Sequence, residues 1–464
     1  MTPFRRFVLS TLLLAVLSAG AQDPVLPATV PVVAGAEHDA SRFHRFLFGR
    51  NWRAEWTTPI QAPVVRLDTL YGGLIPYQRS GGGESRSLRL RSRAGKEYVL
   101  RSVNKTRSNL LPALLRNSAY GSLVQDGVSM SHPYAALALP AMLTAAGIPH
   151  PAPRLVFVPE QPALDTFNAV YANALYLLEE RPSGNWSDAP HLGGYRQYLA
   201  TTDVKEKMRA DNRLRADGRA FIRARLFDIL ISDVDRHEGN WRWGVPDSGA
   251  YRFVPVPVDR DQAFFTYNGL LTKLTLALTR RRLMQRFNFG IRNVTTLTSH
   301  DQLLDRFFAN EMTEADWLEA AAHLERTLTD SVINVSLQAM PAEIVALSGT
   351  AICERLVERR ARLRSFASRY YDALARKVEI HGSTGAEQFD VRRLPDGTVS
   401  VTVHRLDASG QKEGAAFYQR VFRASETGRI TLYGAGGNDV FALEKGIRRP
   451  KVIVEKGTSK EQYP

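Results

Sequence analysis

Two short acidic segments hold the residues of this sequence that are best suited to chemistry. The first, DRHEGN, follows an apolar stretch and supplies Asp235 and Asn240. The second, VDRDQAF, follows the apolar run YRFVPVP and supplies Asp259 and Asp261. Hard cations such as Mg²⁺ bind carboxylate and amide oxygens. An amide and a carboxylate that hold a metal, beside a second carboxylate that acts as a base, form the arrangement that phosphoryl transfer needs.

The two segments resemble the catalytic and metal-binding loops of atypical kinase-like proteins. The resemblance covers HipA-like and CotH-like kinases, secretory-pathway kinases and phosphatidylinositol 4-kinases. It implies that Asp235 is the catalytic aspartate and that Asn240 and Asp259 bind the metal. It also implies that Asp261, the second acid of a CotH-like D-x-D sequence, belongs to the metal site. The implied cofactors are Mg²⁺ or Mn²⁺ and ATP or another nucleoside triphosphate.

Residues upstream of the acidic segments are candidates for holding the nucleotide phosphates. A glycine-rich turn between strands is suited to lie over phosphates. Its glycines are Gly81, Gly82 and Gly83. The resemblance implies a lysine on the following strand, EYVLRSVNK, where this sequence has Arg101 and then Lys105. The planar fork of an arginine grips oxygens differently from an ammonium group, so both residues remain candidates. Asp126 is the predicted acidic partner of this cation.

The residue pattern predicts an α+β fold. LRLRSRAGKEYVLRSV alternates apolar and polar residues around a glycine-containing turn, which predicts a β-hairpin. From Gly194 to about Arg376 the pattern is mostly helical, and GRAFIRARLFDILISD places Phe221, Ala224 and Phe227 on one apolar face. The arginine-rich run AICERLVERRARLRSFASRYYDALARK predicts one long helix with a solvated charged face. After Lys377 the pattern changes to short strands and turns.

The resemblance turns this pattern into a bilobal, atypical protein-kinase-like fold with a β-rich N-lobe and a mostly helical C-lobe. A small all-β module follows the C-lobe. The predicted segments are a signal peptide at 1–21, an irregular lead-in at 22–60, the N-lobe at 61–185, the C-lobe at 186–377 and the β module at 378–464.

A second resemblance covers most of the sequence after the signal peptide. The segments GGLIPYQRSGGGESRSLRL, DVDRHEGNWRW, VPVDRDQAFF and YGAGGNDVF are similar to one region of large Bacteroidetes envelope proteins. In those proteins the region often lies between a calcineurin-like metallophosphoesterase domain and an outer-membrane β-barrel. The metallophosphoesterase signature is missing from this sequence. The resemblance implies a role in the cell envelope.

The start of the chain and its charge indicate where the protein works. MTPFRRFVLSTLLLAVLSAGAQ combines two arginines, an apolar stretch and small residues, so we expect a secretory signal cleaved after Ala21. No later segment is long and apolar enough to predict a membrane span. The formal net charge of +14 favours an anionic partner. Because the basic residues are spread along the chain, nucleic acid is not predicted. We expect an exported protein of the periplasm or cell surface.

Two functions remain open from the sequence. The first is an exported, metal-dependent, kinase-like phosphotransferase with an unknown acceptor. The second is a non-catalytic, pseudokinase-like scaffold or binding module. Such a module would contact an anionic envelope component or an outer-membrane protein and support outer-membrane assembly. Binding of Mg²⁺ and ATP separates the two functions.

Overall fold

The structure is a computed structural model that describes residues 27–81, 84–247, 252–278, 285–298 and 302–455. The predicted signal peptide, Gly82, Gly83 and the chain from residue 456 lie outside the described residues. In the parts that are described, no helix is both long enough and apolar enough to cross a bilayer. The predicted α+β class is confirmed, with a β-rich first lobe, a mostly helical second lobe and a C-terminal β module.

The segment before the main sheet is folded and packs into the core that also holds Phe221 and Phe227 of the second lobe. It contains β1 (Thr29–Val32), α1 (Arg42–Phe48), α2 (Arg53–Thr57) and β2 (Ile60–Pro63). Strands β1 and β2 pair antiparallel, and Trp52 and Trp56 are buried in the core. The Trp56 indole donates to the carbonyl of Ser131 at 2.9 Å. The prediction of an irregular lead-in is therefore wrong for its described part, because elements this short show no clear periodicity.

A five-stranded antiparallel sheet forms the centre of the first lobe, in the order β3-β4-β5-β7-β6. Its strands are β3 (Leu74–Ser80), β4 (Ser85–Ser92), β5 (Glu97–Lys105), β6 (Arg154–Val158) and β7 (Ala174–Glu180). The helices between them are α3 (Ala113–Arg116), α4 (Ala119–Asp126), α5 (Pro140–Ala145) and α6 (Asn168–Tyr171). Pro140 begins α5, because the first helical turn needs no N–H from this residue.

The second lobe is built around α8 and a small sheet in the order β8-β10-β11-β9. The elements are β8 (Tyr198–Ala200), α7 (Thr201–Ala210), β9 (Arg215–Ala216), α8 (Gly218–Ile231), β10 (Trp241–Gly244) and β11 (Arg252–Pro257). Helix α8 buries Arg225 and Asp228 as well as its apolar face, so its predicted amphipathic pattern understates its burial. Trp241 and Trp243 pack against Phe221 of α8 and anchor β10.

Eight further helices complete the second lobe. They are α9 (Leu270–Leu278), α10 (Val294–Leu297), α11 (Gln302–Phe308), α12 (Glu314–Thr327), α13 (Asp330–Leu337), α14 (Ala342–Ile344), α15 (Thr350–Ala361) and α16 (Leu363–Ala375). The arginine-rich run predicted as one helix with a solvated face is two helices, α15 and α16. Arg359 is fully buried and donates to the carbonyls of Ile229 (2.5 Å) and Leu230 (2.6 Å). It thereby caps the last turn of α8.

The C-terminal module consists of two sheets, in the orders β12-β16-β18 and β15-β14-β13-β17. Its strands are β12 (Lys377–His381), β13 (Glu387–Arg393), β14 (Val399–Leu406), β15 (Lys412–Phe422), β16 (Arg429–Tyr433), β17 (Val440–Leu443) and β18 (Lys451–Glu455). Strands β13 and β14 form an antiparallel hairpin, with Gly397 at φ +81° in its turn.

Candidate active site

The first acidic segment begins where α8 ends. Ser232 adopts a left-handed conformation (φ 53°) and stops the helix. The next residue, Asp233, donates its N–H to the carbonyl of Asp228 at 3.0 Å. Asp235 is then exposed. Among the described residues, no side chain or N–H pairs with its carboxylate. The loop therefore presents one carboxylate that is free to accept a proton or a hydrogen bond.

Arg236 fastens the two acidic segments to each other. Its buried guanidinium donates to the carbonyls of Val258 (2.7 Å) and Asp259 (3.0 Å) in the second segment. It also donates to the carbonyl of Asn240 in the first segment at 3.0 Å. Asp228 of α8 balances its charge, 3.3 Å from Nε. The two predicted segments are thus brought together by this side chain, by the pairing of β10 with β11, and by the N–H of Val258, which donates to the carbonyl of Asn240 at 2.9 Å.

The second segment leaves β11 through a strained residue. Asp259 has a φ of +59°, in the left-handed region that non-glycine residues rarely adopt. Such a conformation costs about 1 kcal/mol or more and persists only where the surroundings hold it. Arg236 holds the carbonyl of this residue. The turn directs the Asp259 carboxylate toward β5.

Two ion pairs connect the second acidic segment to β5. Arg101 contacts the carboxylate of Asp259 at 3.0 Å, and Lys105 contacts that of Asp261 at 2.6 Å. Both predicted nucleotide cations therefore face the acidic segment. Arg101 also has a further partner in the lobe, since it lies 3.3 Å from the Glu179 carboxylate on β7. Four of the predicted site residues thus meet at the junction between the sheet and the helical lobe.

Burial and charge separate the pKa values of the carboxylates here. Burial and then the neighbouring Asp261 carboxylate raise the pKa of Asp259, despite its ion pair with Arg101. Burial also opposes ionisation of Asp261, but the Lys105 ammonium outweighs it and lowers the pKa of Asp261. Burial raises the pKa of Glu179 to about 7. The site therefore holds one firmly ionised carboxylate and two that resist ionisation.

Asp126 is not the acidic partner of either cation. Its carboxylate is paired with Arg53 of α2 at 2.7 Å and with His44 of α1 at 2.9 Å. Its neighbour Gln125 instead reaches β5 and donates to the carbonyl of Lys105 at 2.8 Å. The prediction is wrong because α4 turns Asp126 toward the N-terminal helices, which the sequence analysis treated as irregular.

Gly81 lies at the end of β3, at the mouth of the cleft between the lobes. Its φ is +107°, and a Cβ added to it would lie 2.8 Å from the carbonyl of Ser85. The turn therefore requires glycine at this position. A cavity in this cleft is lined by Gly81 together with Arg101 and Glu179. Of the three predicted glycines, this is the one inside the described residues.

The candidate metal ligands are two carboxylates and one amide oxygen. Within the described ranges, no three His, Cys, Asp or Glu side chains cluster so that they could hold a metal ion. Asn240 uses Nδ2 to donate to the carbonyl of Asp235 at 2.5 Å, which leaves Oδ1 for a cation. Mg²⁺ commonly takes one or two carboxylates and completes its shell with water and phosphate oxygens. Asp259, Asp261 and Asn240 therefore remain candidate ligands for a cation that binds together with a phosphate.

Sequence reasoning missed Arg236 and Glu179 as parts of the site. Arg236 lies inside the quoted motif, but its role depends on reaching three carbonyls across two loops. Glu179 ends the apolar strand run in NAVYANALYLLEE, where a glutamate at a buried strand end is an unusual signal. Arg89, Arg181 and Arg242, which line the adjoining cavity, were also missed.

No protein-family model and no curated protein matches this sequence. The solved structures that are similar to parts of it include the following three. The Helicobacter pylori proinflammatory kinase CtkA shares 12% identity over 64% of this chain and 94% of that chain, with a TM-score of 0.34. HipA from Shewanella oneidensis MR-1, in a complex with HipB and operator DNA, shares 12% identity over 67% and 77%, with a TM-score of 0.33. The amicoumacin kinase hAmiN, in complex with AMP-PNP, Ca²⁺ and Ami, shares 13% over 63% and 90%, with a TM-score of 0.17. All three TM-scores are below 0.5, so the roles assigned below rest on the geometry of this chain.

Proposed function

We propose that this protein is an exported, kinase-like phosphotransferase that uses a divalent metal and acts on an acceptor in the periplasm or at the cell surface. The proposal is carried by two features of the acidic segments. The first segment presents the unpaired Asp235 carboxylate, and the second forms a cluster of two acids, Asp259 and Asp261, with the cations Arg101 and Lys105. Arg236 holds the segments that carry these groups together. In this arrangement Asp235 would act as the base, and the cluster would bind the phosphates.

The residues of the chain divide the reaction between them. The exposed Asp235 carboxylate accepts the proton of the acceptor hydroxyl, whose oxygen forms a bond to phosphorus as the bond to the leaving phosphate breaks. Arg101 and Lys105 exchange their carboxylate partners for phosphate oxygens and offset the charge of the donor. A bound Mg²⁺ or Mn²⁺ would add Lewis-acid stabilisation of the phosphate oxygens. Asp259, Asp261 and Asn240 would hold that ion.

The test compares wild type with Asp235→Asn. Purified protein is incubated with Mg²⁺ and a γ-labelled phosphate donor, together with envelope fractions as a source of acceptor. We expect Asp235→Asn to lose transfer by about 10²–10⁴-fold, as for removal of a general base. Because Asp235 is exposed and unpaired, the melting temperature should not change. Equal transfer by the two proteins would refute the role of Asp235.

A non-catalytic envelope module is the second candidate. It is favoured by one observation, namely that Asp259 and Asp261 are already neutralised by Arg101 and Lys105. A site whose charges are internally satisfied can persist as structure alone. In this case calorimetry would detect no binding of Mg²⁺ with ATP or any other phosphate donor, while an anionic envelope component would still bind.

A further inference from the structure

The sheet face that looks onto the helical lobe is lined with arginines. In β4, SRSLRLRS, arginines alternate with leucines, and the leucines are buried on the opposite face. Arg89 pairs with Val99 of β5, and Arg101 lies two residues further along that strand. Residues two apart on a strand share a face. Arg89 and Arg101 therefore project from the same face of the sheet toward the second lobe.

Two further arginines complete a cavity of about 140 Å³ at this face. Arg181 comes from the chain that follows β7, and Arg242 comes from β10 in the helical lobe. The apolar side chains of the lining are Val99, Pro182 and Val258. Two acids, Glu179 and Glu180, also line the cavity, so its four arginines exceed its acids and it is a basic cleft with little apolar surface.

The positive charge of this cleft is only partly balanced. Arg89 donates to the neutral amide of Gln78 at 2.7 Å, and Arg242 donates to the carbonyls of Gly239 and Trp241 at 3.1 and 2.7 Å. In the described part of the chain, no carboxylate lies within ion-pair distance of either guanidinium. Both side chains are half-buried, so water screens them incompletely.

The other two arginines of the cleft, Arg181 and Arg101, have carboxylate partners that balance their charge only in part. Arg181 and Arg91 both contact the carboxylate of Glu97. Arg101 is paired with Glu179 and Asp259, and burial raises the pKa of Glu179 to about 7, so this acid is only partly ionised at neutral pH. Arg242 lines the same cavity as Arg89, Arg101 and Arg181, so these guanidinium groups repel one another. An anion in the cleft would relieve this repulsion.

We propose that this cleft binds the phosphate chain of a polyphosphate donor that has no nucleobase. Four guanidinium groups from two lobes match a linear anion with several phosphate groups, because each fork can contact two oxygens. This inference rests on the proposed function for the transfer step, but binding in the cleft does not depend on catalysis.

The size and lining of the cleft disfavour a nucleoside in the same position. Sites that enclose drug-sized ligands have volumes of about 300–1,000 Å³ and are mostly apolar. This cavity is smaller and is lined with charge. A neutral aromatic base offers few acceptor atoms and no negative charge to Arg89 and Arg242, so it would bury their positive charges without balancing them, which is costly. A compact polyanion supplies an oxygen to each of them.

The corresponding transfer step is balanced. The acceptor oxygen attacks the terminal phosphorus of triphosphate, and the bond from that phosphorus to its bridging oxygen breaks. The hydroxyl proton moves to Asp235, and pyrophosphate leaves with the bridging oxygen. Arg101 lies in both the cleft and the acidic cluster, so the reacting end of the chain would lie beside Asp259.

The experiment measures binding of sodium triphosphate, ATP and adenosine to the full chain by calorimetry, at fixed ionic strength with Mg²⁺. We expect triphosphate to bind at least as tightly as ATP, and adenosine not to bind. Arg242→Gln and Arg89→Gln should each weaken triphosphate binding by about 10–100-fold, the value of a charge-assisted hydrogen bond. Arg219→Gln is the matched control, because Arg219 is exposed on α8 and pairs with Asp316 away from the cleft.

The outcomes separate this inference from the proposed function. Triphosphate binding without transfer to any acceptor would support the cleft and contradict the phosphotransferase. Transfer from ATP, with ATP bound at least tenfold more tightly than triphosphate, would support the phosphotransferase and overturn the cleft assignment. Unchanged triphosphate binding in both arginine variants would also overturn it. Two variants are used so that a folding defect in one does not decide the result.

Discussion

Replacing Glu179 with glutamine should remove a pH dependence of stability that the wild type carries. Glu179 is buried on β7, and burial raises its pKa from 4.5 to about 7. Below pH 4.5 the carboxyl is protonated in both the folded and the unfolded chain. As pH rises from 4.5 to 7, the unfolded chain ionises first, so folding stability is lost across this window. Above pH 7 the loss is complete.

The size of this effect follows from the shift. Each pKa unit corresponds to about 1.4 kcal/mol, so Glu179 lowers the free energy of unfolding by about 3 kcal/mol between pH 4.5 and pH 8. Glutamine keeps the shape of the side chain and does not ionise. The difference in stability between Glu179→Gln and wild type should therefore shift in favour of the variant by about 3 kcal/mol over this range.

Urea unfolding in metal-free buffer measures this difference at each pH. Tryptophan fluorescence follows the unfolding, because all six tryptophans of the chain are buried. Glu97→Gln is the control. Although burial opposes its ionisation, Ser183 and Arg91 bind the Glu97 carboxylate, and its pKa is lowered to about 2. Glu97 is thus mostly ionised in both states above pH 5, and its variant should show a constant offset. If the Glu179→Gln difference is also constant with pH, the assigned burial of this carboxyl is wrong.

Two further changes test the centre of the site. Arg236→Met keeps an apolar side chain over Trp241 and leaves Asp228 with its donors Arg225 and Arg260, but it removes a donor from three carbonyls. It should lower the free energy of unfolding by about 3–5 kcal/mol in urea, because a buried acceptor without its donor costs about 1–3 kcal/mol; a loss below about 1 kcal/mol would show that these hydrogen bonds are not needed. Mg²⁺ with triphosphate should raise the melting temperature of the wild type. Asp259→Asn should abolish this rise, because the cation loses a charged ligand. An unchanged response would remove Asp259 from the metal site.

The acidic segments were predictable because their chemistry is local. A helix that ends in several acids, and a buried strand that ends in two more, mark a site whatever the rest of the fold does. The β-hairpin of β13 and β14 and the packing role of Trp241 and Trp243 were predictable for the same reason, since strand alternation and turn residues are short-range signals. The change from strand alternation to helical periodicity in the sequence also predicts where the sheet of the first lobe gives way to the helices of the second lobe.

The partners of these residues were not predictable, because partner choice depends on long-range packing. The sequence offers Asp126 on the helix after β5 as the natural acid for Lys105, but α1 and α2 supply His44 and Arg53 to that acid first. Glu179 reaches Arg101 through strand pairing between β5 and β7, whose residues are far apart in the chain. In the same way, the apparent solvated face of α15 hides Arg359, which is satisfied only by carbonyls of α8.

Under the proposed function, the ion pairs of Arg101 with Asp259 and of Lys105 with Asp261 would couple the binding of metal to the binding of phosphate. A cation that arrives alone must compete with Arg101 and Lys105 for Asp259 and Asp261. A phosphate that arrives alone must compete with the same acids for the same cations. When metal and phosphate bind together, Asp259 and Asp261 bind the metal ion. Arg101 and Lys105 then pair with the phosphate, so no charge is left unpaired. Each ligand should therefore strengthen the binding of the other by an equal factor. Without ligands, the four side chains pair with one another.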